Sequence, residues 1–154
     1  MSSFAAARFT TAGEGTAFVG DVAIRDDRIV AIGPSVRQRA KRVIDAKGMI
    51  VAPGFIDPHT HADAFLRSSD QRERLNAPWL YQGVSTVMIG VDGGGTPDVA
   101  ADAERLTRSG IGTNVVPFVG FGPVRQRVLG QDARAPTATE LGAMKALVAK
   151  GMCE

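Results

Sequence analysis

The chain of 154 residues contains two histidines, His59 and His61, a single residue apart. Along an extended strand successive side chains alternate, so Asp57, His59 and His61 should point to one face. Two imidazoles side by side can grip one divalent cation, and imidazole suits zinc and its neighbours. Asp57 can ligate the metal or orient an imidazole from behind, and Asp63, just past the pair, is a second carboxylate able to support it. Alone, a His-x-His pattern equally describes two partly exposed histidines at a strand end. The context strengthens the metal reading, because the pair follows the Pro53-Gly54 break and a short apolar strand in a chain with no other histidine.

Other chemistry-bearing groups are fewer. Cys153 is the single cysteine, so no intramolecular disulfide can form. It closes an amphipathic segment and reads as a helix-end thiol rather than a ligand. Arg37, Arg39, Lys41 and Arg42 form a short basic run, which reads as a solvated loop between strands rather than a phosphate site.

The elements that must position the histidines differ before and after Pro53. Phe18 to Ile24 and Arg28 to Ile32, split by Asp26-Asp27, predict a hairpin. Val43 to Asp45 and Met49 to Ala52 flank a tight turn at Ala46-Lys47-Gly48. Nothing helical precedes Ala52, so residues 1–52 are expected to form a small β-unit. From residue 53 to 154 the pattern alternates. Phe55 to Asp57 opens a strand, and Arg72 to Gln82 can be helical with Pro78 kinking or restarting it. Val84 to Ile89 is apolar throughout and suits a strand buried on both faces. Pro97 to Ser109 predicts a helix, capped by Thr96, ended by Gly110, and burying Val99, Ala103 and Leu106. Asn114 to Val119 predicts a third strand of the same buried kind. Thr137 and Glu140 fit a capping box at the head of a last helix, which should bury Leu141, Met144 and Val148 and end at Gly151. Strands alternating with helices imply an α/β fold with parallel strands.

Composition narrows the function. With 44% hydrophobic and 22% charged residues the chain can bury a core. Net charge is +2 and aromatics are 6%, with basic residues scattered, which argues against nucleic acid as partner. No apolar run approaches the ~20 residues that cross a bilayer. Residues 1–15 show no charged segment followed by an apolar one, as a secretory leader would. A cytoplasmic protein without a membrane partner is the expectation.

The segment Val43 to His61, ending Pro53-Gly54-Phe55-Ile56-Asp57-Pro58-His59-Thr60-His61, resembles the first-strand region of the amidohydrolase superfamily. Downstream, Gln82 to Gly90 with Asp92-Gly93-Gly94, Gly112 to Gly120, and Arg125 to Glu154 are similar to N-acyl-D-amino-acid deacylases (D-aminoacylases). The resemblance implies a (β/α)8 barrel preceded by a small β-sandwich, with residues 53–154 forming the first three or so strand–helix units. It implies zinc as cofactor, an N-acyl amino acid as small-molecule substrate, and amide hydrolysis to a carboxylate and a D-amino acid.

Two departures stand out. Many members carry a metal-binding cysteine where this chain has Asp92; a carboxylate can take that role, or Asp92 simply turns the glycine-rich loop. The family often has Gly-His-Gly where this chain reads Gly120-Phe121-Gly122. The resemblance also places further histidines and an acid/base aspartate on later strands, which these residues do not include, so no catalytic residue is assigned within the chain. A whole (β/α)8 barrel takes ~250 residues, and the chain is expected to be a truncated member, inactive alone and prone to associate with itself. Two other readings are a cyclic-amide hydrolase of the hydantoinase or dihydroorotase kind, and a non-catalytic remnant serving as an interaction module.

Overall fold

A computed structural model describes residues 2–9 as backbone, 16–37 and 39–153. Met1, residues 10–15, Gln38 and Glu154 lie outside the described residues, and with them part of the stretch scanned for a leader, one position of the basic run and the last residue of the final motif. The chain divides into two compact units, Met1–Pro53 and Gly54–Glu154.

The first unit is a sheet of five strands: β1 (Ser2–Phe9), β2 (Phe18–Arg25), β3 (Arg28–Gly33), β4 (Arg42–Asp45) and β5 (Ile50–Val51). β2 and β3 form the expected hairpin, with Arg25 opposite Arg28 and Asp26 at φ +54° in the left-handed region that aspartate tolerates. β1 is unexpected from its alanine-rich sequence, which has little strand preference. It is nonetheless the central strand, antiparallel to β2 and parallel to both β4 and β5. The turn between β4 and β5 is present. The Met49 amide donates to the Ala46 carbonyl at 2.9 Å, and Gly48 supplies φ +78°. It offsets the chain along β1 instead of reversing it. Val22 and Ala46 are the buried centre, packed by Phe18, Ile24 and Val51.

The second unit holds β6 (Phe55–Asp57), α1 (Asp63–Leu66), α2 (Gln71–Arg74), α3 (Ala77–Leu80), β7 (Val84–Ile89), α4 (Val99–Ser109), β8 (Asn114–Pro117), α5 (Phe121–Leu129) and α6 (Ala138–Cys153). Its three strands pair in the order β6-β7-β8, all parallel, so the fold is mixed α/β with helical crossovers. Ala62, Leu66, Val87, Ile89 and Leu106 form one core between sheet and helices. Val124, Leu129 and Met144 form another between α5 and α6.

Several expectations change in detail. The helix expected over Arg72 to Gln82 breaks at Asn76, which is fully buried at φ +54° and donates through Nδ2 to Thr113 Oγ1 at 3.1 Å; Pro78 sits in the restarted first turn. Thr96 does not cap α4 directly. Its Oγ accepts from the Asp98 amide at 3.1 Å and turns the chain one step earlier. The buried face of α4 carries Asp102 with Leu106, while Ala103 is exposed, because Asp102 has charged partners described below. α5 was not anticipated, since Gly122 and Pro123 resemble a turn, yet proline is compatible with a first helical turn.

The capping box of α6 forms as expected: Glu140 N donates to Thr137 Oγ1 at 3.3 Å and Thr137 N to Glu140 Oε2 at 2.8 Å. α6 runs on through Gly151 to Cys153, and Gly151 serves close packing instead of ending the helix. A Cβ there would lie 2.8 Å from Val119 Cγ2 and 3.0 Å from the Pro97 carbonyl oxygen. Leu141 is exposed, while Met144 and Gly151 are buried and Val148 packs half-buried against the same core. β8, expected to be buried on both faces, alternates: Val115 is half-buried in the core, while Val116 and Phe118 are exposed. It lies at the edge of a three-stranded sheet, with helices on one face only.

Candidate metal centre

The three sequence-predicted ligands stand where the chain leaves β6 and β7. Strand pairing stops at Asp57, so the alternation that carries His59 and His61 outward is not maintained by the ladder. Thr60 maintains it instead. Its side chain is buried, and both its amide and its hydroxyl donate to the Met88 carbonyl, at 3.3 and 2.7 Å. With Thr60 fixed inward, both neighbours project outward and are exposed. The Asp57 carboxylate accepts from the His59 amide at 3.2 Å. It therefore steadies the backbone under the first imidazole and does not approach the ring through any described bond.

Asp92 sits in the loop after β7 with φ +56°, between Gly90 at +75° and Gly93 at +81°. The loop is closed by Gly94 N to Val91 O and Gly95 N to Gly90 O, each at 3.0 Å. Its glycines are needed for space as well: a Cβ on Gly95 would lie 1.9 Å from the Phe118 carbonyl oxygen. This left-handed turn aims the Asp92 carboxylate at both imidazoles. His59 Nε2 lies 3.6 Å from Oδ1, and His61 Nε2 lies 3.3 Å from Oδ2. Asp92 thus turns the loop, and its carboxylate also faces both histidines.

One donor atom from each of the three lies within 4.8 Å of the others. Zinc bonds of ~2.0–2.1 Å at tetrahedral angles place neighbouring donors ~3.3 Å apart, and the separations of 3.6 and 3.3 Å between Asp92 and the two imidazoles are of that order. Two neutral nitrogens and one carboxylate oxygen also match a zinc donor set with an open fourth position.

Around this cluster, Asp63 starts α1 and accepts from the Gly90 amide at 3.5 Å. Behind it lies an ion cluster that the sequence did not reveal. Arg67 donates through both terminal nitrogens to Asp102, at 2.5 and 2.8 Å, and Arg105 also pairs with Asp102. The Arg67 hydrogen bonds, aided by Arg105, hold the Asp102 carboxyl below the ordinary carboxylate range against the opposing effect of burial. A charged residue at the i+3 position of an otherwise apolar face was the available signal. Cys153 is exposed at the end of α6 and is not part of the cluster. Phe121 is exposed at the start of α5, whose Gly122 amide donates to the Gly93 carbonyl at 3.0 Å. An open groove of about 460 Å³ extends from Asp92 past Gly93, Gly122, Arg125 and Asp132.

Comparison with known proteins agrees with this arrangement. A family model described as the amidohydrolase family matches residues 42–94, which include β6, both histidines and Asp92. An N-acyl-D-aspartate deacylase of Alcaligenes xylosoxydans xylosoxydans is 34% identical over 94% of this chain and 33% of its own length. A D-aminoacylase of the same organism is 33% identical over 86% of the chain and 31% of its own length. The chain resembles the N-terminal portion of amidohydrolases of the N-acyl-D-amino-acid deacylase kind. The fold agrees as well. An N-acyl-D-glutamate deacylase from Bordetella bronchiseptica, solved with zinc and a phosphonate inhibitor, superposes with a TM-score of 0.82 at 28% identity, covering 95% of this chain and 35% of that one. The chain therefore spans about a third of the length of the relatives it matches.

Proposed function

We propose that this chain supplies the metal-gripping end of a zinc-dependent amide hydrolase, which as a whole protein converts an N-acyl-D-amino acid and water to a carboxylate and a D-amino acid. The observation that carries this reading is the convergence of His59, His61 and Asp92 on one cation-sized space. The deacylase relatives supply the reaction class. Bound zinc contributes Lewis acidity, polarising an amide carbonyl and lowering the pKa of water.

The residues of this chain have separate roles. His59 and His61 hold the cation as neutral donors, and Asp92 adds a third donor and offsets its charge. Thr60 keeps the imidazoles on one side. The groove beginning at Asp92 receives part of the substrate next to the metal.

The architecture that suits this role is a (β/α)8 barrel, of which residues 53–154 form the first three strand–helix units. Ligands at the carboxyl ends of parallel strands are where such barrels carry their chemistry. Residues 1–52 fit one layer of a β-sandwich, since Val19, Ile29, Ile32, Val43 and Ile50 remain exposed on its sheet. By itself the chain should associate with itself through such surfaces and through the open edges of β6 and β8. No described helix is long and apolar enough to cross a membrane, and a cytoplasmic setting is consistent with a single cysteine.

Two measurements test the function. A zinc titration of the chain can be followed through the ring protons of its two histidines, and hydrolysis of N-acetyl-D-amino acids can be assayed on the whole protein that carries it. Both imidazoles should respond together to zinc, and the whole protein should hydrolyse D- in preference to L-substrates and lose activity on chelation. Imidazoles indifferent to zinc, or turnover unaffected by chelation, would overturn the reading.

A further inference from the structure

The segment leaving β6 and the loop leaving β7 come from different parts of the chain, yet the metal reading requires their side chains to stay within bonding reach of one ion. Asp63 is placed to couple them. It lies just past His61, and one carboxylate oxygen accepts from the Gly90 amide at 3.5 Å. Gly90 is buried at φ +75°, and its carbonyl receives the Gly95 amide that closes the loop carrying Asp92. Where Gly90 sits therefore decides where Asp92 points.

A single N–H at 3.5 Å is a long hydrogen bond, and alone it would not hold a carboxylate that also has access to water. The other oxygen of Asp63 faces Arg67 at 3.7 Å. Arg67 is not free to follow it, because its guanidinium is forked onto both oxygens of Asp102, whose side chain is only 4% exposed. A two-bond fork on a buried carboxylate fixes the plane and direction of the guanidinium. The side chains of Arg67 and Asp63 are 29% and 32% exposed, so their attraction is screened less than that of a surface pair.

We propose that Arg67 is a positioning residue for the metal centre: anchored on Asp102, it holds Asp63 against the Gly90 amide and so keeps Asp92 within reach of His61. This inference rests on the metal-site reading above. It differs from a simple tie between α1 and α4, which would stabilise the fold without setting metal affinity. It also differs from a distant charge effect, in which loss of the Arg67 cation would tighten binding of a cation.

The test is a zinc titration followed by the two histidines' ring protons, on the full chain and on Arg67→Met, Arg67→Lys, Asp63→Asn and Arg105→Ala variants. Each is measured well below its own thermal midpoint. Positioning predicts that Arg67→Met and Asp63→Asn each weaken zinc by ~10-fold, as loss of groups that orient ligands commonly does. The double variant should be no weaker than either single one. Arg67→Lys keeps the charge and loses the fork, so it should also bind zinc more weakly. It is the variant to rely on if Arg67→Met does not fold. Arg105→Ala, which removes the other partner of Asp102, should bind zinc as the unaltered chain does.

Unchanged or tighter binding in folded Arg67→Met or Arg67→Lys would overturn the proposal while leaving the metal site intact. No response of the two imidazoles to zinc in the unaltered chain, or zinc binding by calorimetry that survives His59→Ala/His61→Ala, would remove the metal site itself and this inference with it.

Discussion

Asp92 and Asp102 are carboxylates on consecutive elements after β7, and they are treated in opposite ways. Asp102 is on a regular helix, buried, and bonded to two arginines, so its charge is satisfied within the protein. Asp92 is on a left-handed turn, exposed, and faces two imidazoles that carry no obligatory charge. The first arrangement engages both carboxylate oxygens within the protein and leaves neither for a ligand to bind. The second holds a carboxylate on a left-handed turn, open to solvent, at 3.6 and 3.3 Å from two imidazole nitrogens.

The largest effect expected is for Asp102→Asn. It leaves Arg67, partly buried, with only the longer contact to Asp63 at 3.7 Å, and breaking a buried pair costs about 3 kcal/mol. Urea unfolding of the chain checks this. A loss under ~0.5 kcal/mol, the level of an ordinary surface substitution, would erase the contrast.

A pH series sharpens it. The folded Asp102 carboxyl binds its proton less readily than the ordinary value of 3.8. Its contribution is therefore complete above that value and is lost as pH falls through it toward the depressed folded value. The stability of the unaltered chain should decline over that window more steeply than that of Asp102→Asn.

Gly95→Ala attacks the other side of the comparison. The added methyl would collide with the Phe118 carbonyl, so the loop must shift, with a loss of roughly 1–3 kcal/mol typical of overpacking. Zinc affinity should fall with it, measured on the same sample. Asp92→Asn should do the reverse of Asp102→Asn. Asparagine tolerates the left-handed turn, so stability should stay within ~0.5 kcal/mol, while zinc binding weakens ~10-fold or more because an anionic donor is gone. Equal zinc affinity would show that Asp92 only turns the chain. The smallest effect is for Thr137→Ala, which removes the α6 cap and should cost ~1 kcal/mol by the same unfolding measurement, with zinc affinity unchanged.

Much of this molecule is legible before folding. The β2–β3 hairpin, β7, β8 and the α6 capping box follow from short-range pattern, because each is decided by neighbouring side chains. β1 and α5 were invisible for the same reason. The alanines of β1 have no strand preference of their own, and it becomes central only because β2, β4 and β5 all pair with it. α5 opens on Phe121, Gly122 and Pro123, which propensity reads as a turn.

The candidate centre divides along the same line. The sequence by itself determined which residues could hold a metal: two histidines separated by one position, the only two in the chain, after a Pro-Gly break and a short strand, within a stretch that resembles one superfamily. Residue type and spacing along a strand are local properties, and they are enough for that. The tertiary structure alone decided how those residues meet. Thr60 reaching across to Met88 replaces the strand ladder in setting the two imidazoles outward. The Gly90–Gly95 turn brings Asp92 to 3.3 Å from His61, and the Asp102–Arg67–Asp63 series lies behind both. Apart from the Arg67–Asp63 pair within one helical turn, those contacts join positions about 30 residues apart along the chain, and only packing of the helices on a parallel sheet brings such positions together.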